Sequence, residues 1–319
     1  MSIPLASAIQ ALLAPGARHR NDASTFSDSR IERHAEPLPT GLELEWLGTA
    51  GFRFSYEGFD LFVDPYFTRP SLLRTLGRGP LDASERLVTR HVAKADAVVV
   101  GHTHFDHVLD VPLMSRMYGA SVYGSSSLAN LMRLHGLGDR AVEVVPGRVL
   151  AIGPFEVTFV ESVHAKLLAG LRVPFEGELS CDHLDDLRGS AYRCGRVFGI
   201  HIAVAGATFY HQGSANFLDD RLLHRNVDYF LCGIAGRGFT PRYVERILRR
   251  LSPKIVIPHH FDDFFRPLDA EMGFSLNVNL GGFVEEVQRV SADFRVRTLP
   301  IRATGGVHGV RPPSVEATS

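Results

Sequence analysis

The stretch Ala97-Val98-Val99-Val100-Gly101-His102-Thr103-His104-Phe105-Asp106-His107 decides how this chain is read. Its first four residues are uninterrupted apolar, the pattern of a strand buried on both faces. Gly101 ends the run, and His102, His104, Asp106 and His107 follow at once. Beyond them, Val108, Val111, Leu113, Met114 and Met117 recur at helical spacing. The cluster therefore sits where a strand becomes a helix, the place where ligands collect in α/β proteins. In extended chain His102 and His104, two apart, face the same way. Asp106 and His107 lie beside them on the entry to the helix. Neutral imidazoles with a carboxylate suit zinc, and also iron or manganese. A solvated polar turn is the plainer alternative, but three histidines at this density speak against it.

The spacing His-x-His-x-Asp-His after an apolar strand resembles the signature of the metallo-β-lactamase superfamily of metal-dependent hydrolases. The resemblance implies an α/β fold of αββα type, two mixed β-sheets flanked by helices, with the metal site along one edge. Upstream, Leu42 to Leu47, Phe52 to Tyr56 and Phe59 to Asp64 alternate as three short strands joined by glycine turns, an antiparallel meander. This opening is similar to the superfamily branch of ascorbate-6-phosphate lactonase-like proteins. There, an Asp-Pro at the end of the third strand lies beneath the metals. Asp64-Pro65 matches it, which implies that Asp64 orients a ligand histidine through its other ring nitrogen.

Downstream, strands are expected at 121–123, 142–145, 149–152 and 155–160, with a helix over 128–135. His164 follows the last of these strands and resembles the third-motif histidine. A hairpin over 198–203 and 207–210 leads into His211-Gln212-Gly213-Ser214. Here the sequence departs from the family, in which Gly-Asp-Thr supplies a carboxylate bridging two metals. Ser214 carries no such charge. The strand at 254–257 ends in Pro258-His259-His260, and His260 resembles the last motif histidine. By resemblance His102, His104 and His164 hold one ion, while Asp106, His107 and His260 hold the other. Asp106 also helps orient the attacking water. Asp64, His211, Ser214 and His259 are further candidates, either at the metal directly or behind its ligands. Water, His211 or a substrate oxygen is left to replace the bridge.

With 319 residues, 45% of them hydrophobic, the chain can build a large core. We expect an N-terminal helix and arm over 1–40, one hydrolase domain over 41–303 and a flexible tail over 304–319. Residues 15–40 lack periodicity and read as a linker or arm. A formal charge of −1 argues against a nucleic-acid partner. No apolar run approaches the ~20 residues of a membrane span. Cys181, Cys194 and Cys232 are too few for a disulfide framework, and three reduced thiols point to the cytoplasm. The loops at 66–95 and 165–195 are expected to cover the site mouth. The first carries Arg69, Arg74, Arg78 and Arg90, which could meet an anionic group or, on the plainer reading, form solvated surface. His183, Tyr192 and Arg193 in the second are candidate substrate contacts, with a structural or solvent-facing role as the plainer reading. The expected activity is metal-dependent hydrolysis of an ester, lactone, amide or phosphodiester of a small molecule, with one or two zinc ions, or iron or manganese. The alternative is a metal-binding protein of the same fold with little or no turnover.

Overall fold

In the computed structural model, which describes residues 15–301 except 32–33, 35–37, 168–169 and 276–277, the apolar run before the histidines is a central strand. One sheet holds β1 (Glu43–Gly48), β2 (Gly51–Tyr56), β3 (Phe59–Val63), β4 (Ala97–Val99), β5 (Ser121–Gly124) and β6 (Ala141–Glu143), in that spatial order. β1 to β3 form the expected antiparallel meander, and β3 to β6 run parallel. The second sheet holds β7 (Val149–Ile152), β8 (Phe155–Ser162), β9 (Val197–Val204), β10 (Ala207–Gln212), β11 (Tyr229–Gly233), β12 (Ile255–His259) and β13 (Arg295–Val296). It is antiparallel from β7 to β10 and parallel from there on. The helices are α1 (Pro15–Asp28), α2 (Leu72–Thr75), α3 (Glu85–His91), α4 (Phe105–Val108), α5 (Val111–Tyr118), α6 (Ser126–Leu134), α7 (Tyr243–Leu251) and α8 (Leu280–Val290).

The continuous apolar run in β4 has a direct cause. Ala97 and Val99 face the core between the sheets, with Phe52, Phe54, Phe155, Phe159, Ile200 and Ile202. Val98 and Val100 face the helix layer, with Val88, Val108, Met114 and Leu128. Successive side chains point to opposite faces, and both faces are dry, so no position tolerates a charge. β3 repeats the division: Leu61 and Val63 join the inter-sheet core, while Phe62 joins the helix side. Fully burying each such side chain contributes about 1.5–3 kcal/mol.

The expected αββα sandwich holds, with three local corrections. Residues 15–28, read as part of a linker, form α1. It docks through a polar contact as well as through Phe26, which packs edge-on to Phe261: the buried Asp22 accepts from Leu280 N at 2.7 Å and Gly281 N at 3.2 Å, capping the start of α8. α8 itself had no strong signal, because Gly281 and Gly282 dilute its first turn. The single helix expected after His107 is two, α4 and α5. Pro112 lies in the first turn of α5, where its missing N–H costs nothing. Among the described residues no helix is long and apolar enough to cross a membrane. The expected helix over residues 3–14 and the tail beyond 304 lie outside the described residues.

Candidate metal centre

The motif residues come from five strand ends at one edge of the sandwich. Asp64 follows β3. His102 and His104 leave β4, with Asp106 and His107 on α4. His164 lies two residues beyond β8, His260 follows β12, and Gly213-Ser214 follow β10. His102, His104 and His164 each bring a ring nitrogen within 4.8 Å of the others. Asp106, His107 and His260 do the same with one carboxylate oxygen and two ring nitrogens, as do Asp64, His102 and His107. In the first group His102 Nε2 and His104 Nδ1 face each other at 3.1 Å. In the second, Asp106 Oδ2 lies 3.3 Å from His260 Nε2 and 3.7 Å from His107 Nε2.

The far side of three rings is tied down. His104 Nε2 donates to Pro174 O at 2.8 Å, His164 Nδ1 to Ala165 O at 2.6 Å, and His107 Nδ1 to Asp64 Oδ2 at 2.8 Å. Each bond fixes a tautomer and leaves the inward nitrogen as a bare lone pair. Burial pushes the His102 imidazole well below its ordinary pKa, His104 to about 4 and His164 to about 3, so this trio is neutral at pH 7. Burial also lowers His107, but Asp64 and Asp106 outweigh it and raise the ring. Burial alone would raise Asp106, yet His107 and His260 hold its carboxylate well below the usual range. The inward nitrogens and the ionised Asp106 carboxylate converge on one another, with no backbone or lysine or arginine donor shared among them. A dication is the group that would satisfy them, so the residues fit a metal.

The supports behind the donors are specific. Asp64 is fully buried and its other oxygen accepts from Gly101 N at 2.7 Å. Asp64 and His260 both adopt left-handed backbone, φ 43° and 59°, a strained conformation held where side chains must be re-aimed. At Gly213 a Cβ would fall 3.1 Å from Asp64 Oδ2 and 3.3 Å from His107 Cε1, a tight contact, so glycine lets the strand end pass close to the centre without displacing either side chain. Asp262 accepts from Thr49 N at 2.8 Å and from Arg69 Nη2 at 2.7 Å, and Thr49 O in turn accepts from His260 N at 2.8 Å. The His260 backbone is thus braced through the Gly48-Thr49 turn.

The remaining candidates fall elsewhere. Ser214 Oγ accepts from Ala165 N at 2.9 Å, so the residue at the bridging position braces the chain beside His164. His211 and His259 stack at 4.9 Å with a 6° interplanar angle, and His211 Nε2 donates to Ala50 O at 2.9 Å. Neither contributes to the three donor groups. Burial lowers both, His211 to about 4, so they are neutral rings packed edge-on to Phe52. His183 and Arg193 are exposed and Tyr192 is buried in the helix-side core, so none of the three lines the site. A cavity of about 590 Å³ opens over the donors. Both expected loops reach it, through Leu72 from the first and Leu167, Pro174 and Phe175 from the second. The arginines of the first loop do not line it, which favours the surface reading over an anion contact. Arg69 pairs with Asp262 and Arg90 with Asp269, each at 2.7 Å, and Arg74 reaches Pro80 O. The Pro174 and Ala165 carbonyls had no signal in the sequence, because any residue supplies a backbone acceptor.

Comparison with known proteins identifies the family. The model of the beta-lactamase superfamily domain matches residues 43–260, well over half of the chain. The chain belongs to the metallo-β-lactamase superfamily of metal-dependent hydrolases. A UPF0173 metal-dependent hydrolase of Anaeromyxobacter sp. (strain K) is 28% identical over 235 residues, covering 70% of this chain and 75% of the relative. One from Archaeoglobus fulgidus is 26% identical over 236 residues, covering 70% and 84%. Among solved structures, Igni18, a metallo hydrolase from Ignicoccus hospitalis KIN4/I, aligns with a TM-score of 0.53 at 18% identity, covering 81% of this chain and 94% of that one. CmlA, a diiron β-hydroxylase from Streptomyces venezuelae, aligns with a TM-score of 0.54 at 15% identity, covering 83% and 54%. These two likenesses bear on the fold alone.

Proposed function

We propose that the chain hydrolyses an ester, lactone, amide or phosphodiester bond of a small molecule, with zinc as the metal. The observation that carries this reading is the convergence of two donor trios on the floor of an open cavity. His102, His104 and His164 would hold one ion, and Asp106, His107 and His260 a second. Five imidazoles with one carboxylate suit zinc, and they also admit iron or manganese. When bound, a dication there acts as a Lewis acid and brings the pKa of water toward neutrality. The chain's own residues do the rest. Asp64 keeps the His107 proton on Nδ1 and so leaves Nε2 free. The Pro174 and Ala165 carbonyls do the same for His104 and His164. Asp106, held ionised by its histidine neighbours, accepts a hydrogen bond from the attacking water and orients it. Three free cysteines support a cytoplasmic setting.

The test is turnover of 4-nitrophenyl acetate and bis(4-nitrophenyl) phosphate by chelated and zinc-reconstituted protein. Loss of turnover on chelation and its return with zinc is the expected result. Undiminished turnover after complete chelation would overturn the reading. Zinc uptake with no turnover of either compound would favour the alternative, a metal-binding protein of this fold.

A further inference from the structure

The walls of the cavity differ sharply from its floor. Above the donors stand Leu72, Leu167, Phe175, Phe264, Phe265 and Phe274. Phe264 meets His260 edge-on at 5.5 Å and packs on Phe265 at 4.4 Å, so apolar contact begins at the donors themselves. Leu72 and Phe175 remain 49% and 37% exposed at the mouth, where apolar side chains gain nothing from water. Among the described residues no lysine or arginine lines the cavity, and the acidic side chain in its wall is Asp263. A substrate carboxylate placed against such walls would lose its hydration without gaining a partner. The volume, about 590 Å³, is that of a site for a ligand of some tens of heavy atoms.

We propose that this cavity selects a substrate whose group beside the scissile bond is large, apolar and uncharged, aryl or medium-chain alkyl, and rejects substrates with an anion at that group. The inference rests on the hydrolase reading for its reaction and on the cavity walls for its selectivity.

The decisive comparison is 4-nitrophenyl hexanoate against 4-nitrophenyl hydrogen adipate, esters alike except that a methyl end becomes a carboxylate. With zinc-loaded protein, kcat/KM should favour hexanoate by at least about tenfold, and should rise about fourfold per methylene from acetyl to hexanoyl, the rate equivalent of about 0.8 kcal/mol per buried CH₂. Phe264→Arg should narrow the hexanoate preference to less than about threefold with zinc content unchanged, since a guanidinium then meets the carboxylate. A binding arm needs no turnover: the uncharged fluorophore N-phenyl-1-naphthylamine should bind and be displaced by methyl hexanoate but not by monomethyl adipate. Adipate matching or exceeding hexanoate in either arm, or a fluorophore that does not bind, would overturn the proposal. No turnover of any ester, with the displacement pattern intact, would remove carboxylic esters from the proposed reaction and uphold the selectivity.

Discussion

Replacing Asp64 with asparagine should separate metal affinity from folding. The side chain is fully buried, and its two oxygens accept from Gly101 N at 2.7 Å and His107 Nδ1 at 2.8 Å. Asparagine has the same shape but one acceptor oxygen. If that oxygen keeps Gly101 N, the amide NH₂ must face His107 Nδ1. The ring then moves its proton to Nε2, and the nitrogen that should meet the metal becomes a donor. Hydrogen bonds to charged groups contribute about 1.5–3 kcal/mol each, and the asparagine retains neutral ones, so unfolding free energy should fall by about 1–2 kcal/mol. Zinc affinity at the Asp106, His107 and His260 group should fall about ten- to hundredfold, the usual effect of removing the partner behind a ligand histidine. The His102, His104 and His164 group should keep its affinity. Zinc titration into metal-free wild type and Asp64→Asn, with circular dichroism on both, reads this out. Unchanged affinity at both groups would refute the reasoning, and equal loss at both with loss of the fold would make Asp64 a purely structural residue.

Other outcomes follow from the same geometry. Ser214→Ala leaves the buried Ala165 N without its acceptor and should cost about 1–3 kcal/mol in denaturant unfolding, whereas no change would show that the brace is idle. Ser214→Asp places a carboxylate at the bridging position and should tighten the weaker of two zinc sites in a titration; two equally tight sites in both proteins would contradict this. In the metal-free protein His104 and His164, held at about 4 and about 3, lie below the ordinary histidine value of about 6.5. Their stabilising share is present above that value and is lost as pH falls through the folded values. His107 is raised and acts with the opposite sign, strongest below about 6.5 and lost as pH rises through its folded value. With more rings lowered than raised, the melting temperature of metal-free protein should drop from pH 7 to pH 5, and a rise would contradict the tautomers assigned here. Gly48→Ala puts a Cβ 1.9 Å from Arg69 Nη2 at a φ of +85°, so expression or melting temperature should fall markedly; a wild-type melt would discount the turn that braces His260.

The legible part of the sequence was the part built on repetition. β4 could be read because both its faces are apolar, and His102, His164 and His260 stood out because each follows such a strand. Asp64 was legible through Asp-Pro at the end of a strand. What stayed hidden depends on contacts that leave no mark on residue type. α1 docks through Asp22 and the single aromatic Phe26, too little apolar surface to make a periodic stripe. Pro174 and Ala165 act through carbonyls. The partner of Arg69, Asp262, lies 193 residues on, and nothing in the local sequence tells that pairing from solvated surface or an anion contact. Leu72 and Phe175 matter because tertiary structure sets them at one mouth, and nothing in their local sequence says so.

The central claim is that the two donor trios hold metal independently. Its most direct test is zinc stoichiometry, by elemental analysis after dialysis, of wild type, His102→Ala and His107→Ala with the fold verified. The wild type should hold two ions, and each substitution should remove the ion of its own trio and leave the other. Full metal content in both variants, or none in the zinc-dialysed wild type, would contradict it.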